Sequence, residues 1–146
     1  MKTATRHLAL IAALGMMLSL VSCSGSEPLV EVKGTVHKNG QPLPVQELPS
    51  GAGGRVMVLF HGLDQGEKSR GPHGAIVKPD GTFSVPGAGG RGIPPGKYRV
   101  EITWQDPFPM GTDKLEGKFG KQNSPVVVDV PSRDDIDINV ASVAEK

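Results

Sequence analysis

Apolar residues in this chain recur at every second position rather than every third or fourth, a spacing that fits extended strands and argues against amphipathic helices. Residues 97–104 carry it most cleanly. Tyr98, Val100, Ile102 and Trp104 share one face of an extended segment, and Lys97, Arg99, Glu101 and Thr103 share the other. One face packs on a core and the other meets water. The same alternation runs through residues 30–37, with Val30, Val32, Gly34 and Val36 inward, and through 126–130 and 136–140. The 20 glycines and 13 prolines interrupt the chain too often for long helices, so the expected class is all-β.

Residues 55–61 (RVMVLFH) are apolar on both faces, as a central strand would be, and 30–37 and 97–104 are its expected neighbours. Residues 75–78 and 82–85 flank Pro79-Asp80-Gly81, in which proline presets φ and glycine accepts a positive one, so they read as a hairpin. Asn39-Gly40 marks a tight turn after the first strand, and Pro42 and Pro44 should stop a strand from continuing. Seven short strands in about 110 residues predict two antiparallel sheets face to face, because a single sheet would leave its apolar side wet. The expectation is a seven-stranded antiparallel β-sandwich.

The N-terminus has a different character. Lys2 and Arg6 precede an uncharged apolar run over 8–21 (LALIAALGMMLSLV), the layout of a signal peptide. The run falls short of the roughly 20 apolar residues that a membrane-crossing helix needs. It ends in Leu20-Val21-Ser22-Cys23, which looks like the bacterial lipobox, in which the cysteine takes a lipid and the peptidase cuts just ahead of it. Cys23 is the sole cysteine, so no intramolecular disulfide can form. The expected organisation is a lipoprotein signal peptide over 1–22, a lipidated tether over 23–28 and one domain over 29–146. Each buried methylene of an acyl chain contributes about 0.8 kcal/mol, so a multiply acylated Cys23 suffices as a membrane anchor. Ser24 rather than Asp after the cysteine resembles the sorting signal for an outer membrane.

Cleavage removes Lys2 and Arg6; 16 basic residues less these two leave 14 against 15 acidic, a formal balance of −1. Nothing in that balance suggests a nucleic-acid partner.

The fold reading is joined by a resemblance. Val32-Lys33-Gly34-Thr35-Val36, Asn39-Gly40-Gln41-Pro42-Leu43, Pro79-Asp80-Gly81-Thr82-Phe83 and Ile93-Pro94-Pro95-Gly96-Lys97-Tyr98 together resemble the carboxypeptidase-regulatory-like, transthyretin-like (prealbumin-like) domains of bacterial surface lipoproteins. Lys118-Phe119 before Ser124-Pro125 resembles the late segment of such domains, and the likeness spans about residues 30–141. It implies a β-sandwich without enzymatic activity, since these motifs are turn and core chemistry. The glycine-rich stretches 50–54 and 87–92 depart from the pattern and alter loop lengths.

No nucleophile elbow, H-E-x-x-H pair or phosphate-binding glycine loop occurs, and no cofactor is expected. His37, His61 and His73 match no metal-ligand spacing, and no metal site is predicted. Asp134, Asp135 and Asp137, with Asn139, gather oxygen ligands near the last strand, and Asp129 precedes them on its expected neighbour. Alternate residues of a strand do not wrap an ion, so a solvated acidic face that discourages edge pairing is the reading preferred over calcium. Phe108 and Trp104 are candidate contacts for a ligand or partner: aromatics at a strand end can form a sugar platform, although parity points Trp104 inward. Residues 105–124 form a connection long enough without periodicity to be the expected partner site. The sequence therefore points to a non-catalytic, lipid-anchored structural or protein-interaction module of the cell envelope, contacting the membrane through Cys23 and an envelope protein by exposed sheet edges and the 105–124 loop. The alternative is a polysaccharide-binding module using that same 105–124 loop.

Overall fold

The structure is a computed structural model that describes residues 28–45, 53–63 and 72–143. The segments expected to be a signal peptide, a lipobox with Cys23 and a tether lie outside the described residues as far as residue 27. The protein is all-β, with eight strands and two four-stranded sheets among the described residues. In the first sheet β1 (Val32–Lys38) is central. β2 (Gln41–Pro42) and β5 (Thr82–Val85) pair with it antiparallel along one side, and β8 (Ile136–Asn139) pairs with it parallel along the other. The second sheet is antiparallel throughout, in the order β4 (His73–Ile76), β3 (Arg55–Gly62), β6 (Gly96–Gln105), β7 (Val127–Val130).

The alternation read from the sequence fixes which side chains form the core. Val32, Gly34 and Val36 of β1 are buried, as are Tyr98, Val100 and Ile102 of β6; β3, read as apolar on both faces, buries only Val56, Val58 and Phe60 and leaves Met57 and Leu59 half-buried on its other face. Phe60 stands at the junction of the two sheets, its ring 6.2 Å from Phe83 of the first and 6.1 Å from Tyr98 of its own. Burying such a side chain contributes about 1.5–3 kcal/mol by area alone. The Asn39-Gly40 turn forms with both residues at positive φ, 52° and 80°, as a two-residue hairpin loop between right-twisted strands requires. β2 then ends at Pro42, which lacks the N–H to extend the ladder.

Three expectations are corrected. β3 takes β4 and β6 as partners and does not pair with β1, because its apolar character serves the middle of the second sheet. The Pro79-Asp80-Gly81 turn forms, with Lys78 N–H donating to Thr82 O and Gly81 N–H to Lys78 O, both at 2.8 Å, yet it does not close a hairpin. It carries the chain from one sheet to the other: Val77 N–H donates to Val56 O of β3, whereas Thr82 pairs with Thr35 of β1. A turn signature specifies a reversal, and burial of both Val77 and Phe83 decides that the two arms serve different sheets. Finally, β8 joins β1 in parallel and β7 lies in the other sheet, so Asp129 is not on the strand beside Asp135 and Asp137.

Candidate functional site

β6 has a full-length partner in β3 but is paired with β7 over Gly96 to Arg99 alone, which leaves the outer edge of its second half in need of acceptors. The segment that follows β6 supplies them in order. Val100 N–H donates to Val126 O at 2.9 Å, Ile102 N–H to Phe119 O at 3.0 Å, and Trp104 N–H to Asp113 Oδ1 at 2.9 Å. Asp113 organises this segment, accepting also from Leu115 N–H at 3.1 Å and, through Oδ2, from Gly117 N–H at 3.0 Å. Buried Ser124 donates its hydroxyl to Val100 O, and Phe119 is 1% exposed against the core. The 105–124 connection is thus a series of turns folded along an otherwise open strand edge.

Trp104 and Phe108 occupy opposite faces of the second sheet and do not form one platform. Trp104 lies opposite Val56 and packs half-buried against the core side. Phe108 lies near Arg55, whose guanidinium carbon stands 3.9 Å from the ring centroid, a cation–π contact that covers that face of the ring. Phe108 N–H donates to Gly53 O at 3.0 Å, which ties the following turn to the start of β3. On that turn Met110 is 91% exposed.

Inward parity for Trp104 does not mean full enclosure. β6 runs on to the mouth between the sheets, and Trp104 there lines a cleft of about 230 Å³ with Lys38, Lys114, Lys118, Phe119 and Val140. Its indole Nε1 is buried and has no hydrogen-bond acceptor among the described residues. Glu116 also lines the cleft and pairs with Lys118 at 3.6 Å; Lys38 and Lys114 have no carboxylate partner among the described residues. No sequence signal groups these lysines. They come together because β1 and β6 finish at the same end and the turns around Asp113 bring Lys114 and Lys118 to it.

His37, His61 and His73 are dispersed. His37 accepts from Gly40 N–H through Nδ1 at 3.0 Å, which leaves Nε2 to donate to Asp137 Oδ1 at 3.0 Å. His61 pairs with Glu101 at 2.6 Å on the outward face of the second sheet. His73 is on the opposite side of that sheet, its ring 6.3 Å from Tyr98. The acidic residues divide as well. Asp134 and Asp135 line a smaller cavity of about 130 Å³ with Glu31, Lys33 and Arg133, whereas Asp137 is held between Thr35 and His37. The Thr35 hydroxyl, donating at 2.7 Å, and then His37 hold the Asp137 carboxyl below its usual value near 3.8. Among the described residues no three His, Cys, Asp or Glu side chains gather as a metal site would require.

Among the described residues no helix is long and apolar enough to cross a membrane. No family model, no curated protein and no solved structure matches this chain.

Proposed function

We propose that this chain is a lipid-anchored protein of the cell envelope, cut ahead of Cys23, whose all-β domain is a non-catalytic structural or protein-interaction module of the transthyretin-like sandwich kind, with eight strands among the described residues rather than the seven expected. The observation that carries the reading is the N-terminal layout: Lys2 and Arg6, an uncharged run over 8–21, and a lipobox-like Leu20-Val21-Ser22-Cys23 holding the sole cysteine. The domain geometry suits such an anchor. Val30 exchanges backbone hydrogen bonds with Ile93 at 2.9 and 2.8 Å, which ties down the chain shortly after the tether at one end of β1. Met110, 91% exposed, follows the end of β6, where a partner would meet it away from that tie.

Intact-mass measurement with membrane fractionation, comparing the natural chain with Cys23→Ser, tests the address. The natural chain should carry the mass of acyl groups and sediment with membranes, and the variant should lose both. An unmodified Cys23 would overturn the anchor.

A second reading, polysaccharide binding, is favoured by one specific observation: the indole of Trp104 lines an open cleft at the strand ends. Retention of the chain by immobilised glycans, lost in Trp104→Ala and kept in Phe108→Ala, would support it over protein interaction.

A further inference from the structure

We infer that the cleft between Trp104 and the lysines Lys38, Lys114 and Lys118 binds an acidic sugar unit of a polysaccharide, with the indole as its apolar floor and the ammonium groups of Lys38 and Lys114 taking its carboxylate. This rests on the polysaccharide-binding reading and gives it a charge class and a place.

Three independent features support the assignment. The first is size. At about 230 Å³ the cleft lies just below the roughly 300–1,000 Å³ typical of drug-sized ligand sites, which suits one ring of a longer chain entering and leaving through an open mouth. The second is polarity. Trp104 supplies an aromatic floor, while three lysines and one glutamate stand around it. With Glu116 engaged by Lys118, Lys38 and Lys114 are left to meet an anion, and ammonium–carboxylate hydrogen bonds are roughly twice as strong as neutral ones. A wholly neutral sugar would leave those charges unused. The third is the indole N–H of Trp104, a donor held without an acceptor among the described residues. It is closed off from solvent, so a sugar oxygen reaches it only when the lining side chains shift, and binding that satisfies it should alter the surroundings of the ring.

Position adds a fourth argument. Lys38 ends β1, six residue steps from Val32, which at about 3.3 Å per step puts it about 20 Å from the strand's start near the tether. Val140, which also lines the cleft, follows β8, and β8 runs parallel to β1. The cleft therefore opens at the end of the domain remote from the anchor, where an extended polymer can approach.

Trp104 is the sole tryptophan, so intrinsic fluorescence reports on the cleft directly. The full chain, in detergent micelles, is titrated with oligogalacturonate, with the same oligosaccharide reduced at its carboxyl groups, and with inorganic polyphosphate. The expected result is a saturable spectral change with oligogalacturonate. Affinity should be at least tenfold weaker for the reduced oligosaccharide and for Lys38→Gln/Lys114→Gln, and weakened further by salt. Calorimetry on Trp104→Phe should show reduced binding, and circular dichroism should show each variant folded. Equal binding of the reduced oligosaccharide would overturn the acidic class while leaving polysaccharide binding in place. Binding of neither oligosaccharide would remove both readings. Polyphosphate binding as tight as oligogalacturonate would reduce the cleft to a general anion site, and oligogalacturonate binding unchanged in the lysine variant would place the sugar elsewhere.

Discussion

The carboxylate of Asp113 closes the open edge of β6 at Trp104, accepting its backbone N–H at 2.9 Å while two further oxygen contacts hold the turns that follow. Removing it exposes three backbone donors at once, one of them in a strand. Asp113→Ala should therefore cost about 2–3 kcal/mol, since hydrogen bonds to a charged acceptor are worth about 1.5–3 kcal/mol each and are not additive. Asp113→Asn keeps one acceptor oxygen and should cost less. Denaturant midpoints give the stabilities, and amide exchange at Trp104 should accelerate in the alanine variant. A midpoint unmoved by Asp113→Ala would show that the segment is held by Phe119 and Ser124 without it.

Gly34 is required for space rather than for its backbone angle. A methyl group there would stand 2.2 Å from Ile136 O of β8 and 2.6 Å from the ring of Phe83. Neither can yield without moving a strand or the aromatic centre of the core. Gly34→Ala should destabilise by about 3 kcal/mol, at the upper end of ordinary overpacking costs, and a thermal melt would measure it. Gly40→Ala meets no neighbour but sits at φ 80°, so its cost should be smaller and confined to the hairpin.

These two sites mark how far the sequence could be read. Period-two alternation assigned Val32, Val36, Val100 and Ile102 to the core, and strand positions came within about two residues, because burial acts locally on one face of each strand. Pairing was less legible. Nothing near Pro79-Asp80-Gly81 says that its arms join different sheets, and nothing near Ile136 says that it lies parallel to β1, since both are settled by long-range packing. The candidate site divides in the same way. Trp104 was legible as an inward aromatic at a strand end, but Lys38, Lys114 and Lys118 carry no mutual spacing signal and meet only in the folded chain. The 105–124 stretch looked irregular because its order comes from Asp113 and edge hydrogen bonds, which leave no periodic trace.

Tyr98 tests the Pro94-Pro95-Gly96 corner that precedes β6. Its buried hydroxyl donates to Pro94 O at 2.7 Å, four residues back. Tyr98→Phe keeps the ring against Phe60 and His73 and removes the hydrogen bond to Pro94 O, leaving a buried carbonyl without that donor. The expected loss is about 1–2 kcal/mol by chemical denaturation. Tyr98→Ala should cost more, about 3–5 kcal/mol, because the ring goes too. Equal losses for the two variants would mean that the hydrogen bond, not the packing, dominates.

Acid should weaken the fold partly through Asp137. Its carboxyl lies below the ordinary value near 3.8, because the Thr35 hydroxyl donates to it and His37 stands beside it. A carboxyl depressed in the folded state contributes stability that is fully present above its unfolded value and is lost as pH falls through the folded one. The same sign applies to Asp80, whose carboxylate accepts from the hydroxyl and backbone N–H of Thr82. Stability measured by denaturation should hold from neutral pH to about pH 4 as far as these two groups are concerned, then decline. Asp137→Asn should lower stability at neutral pH and flatten the decline below pH 4. Thr35→Val removes the largest cause and should raise the Asp137 carboxyl toward its ordinary value in a carbon-detected NMR titration. If the acid limbs of the natural chain and Asp137→Asn run parallel, the Thr35–Asp137–His37 contacts are not coupled to folding. If they converge as pH falls, the carboxylate acts in the charged form that the geometry favours.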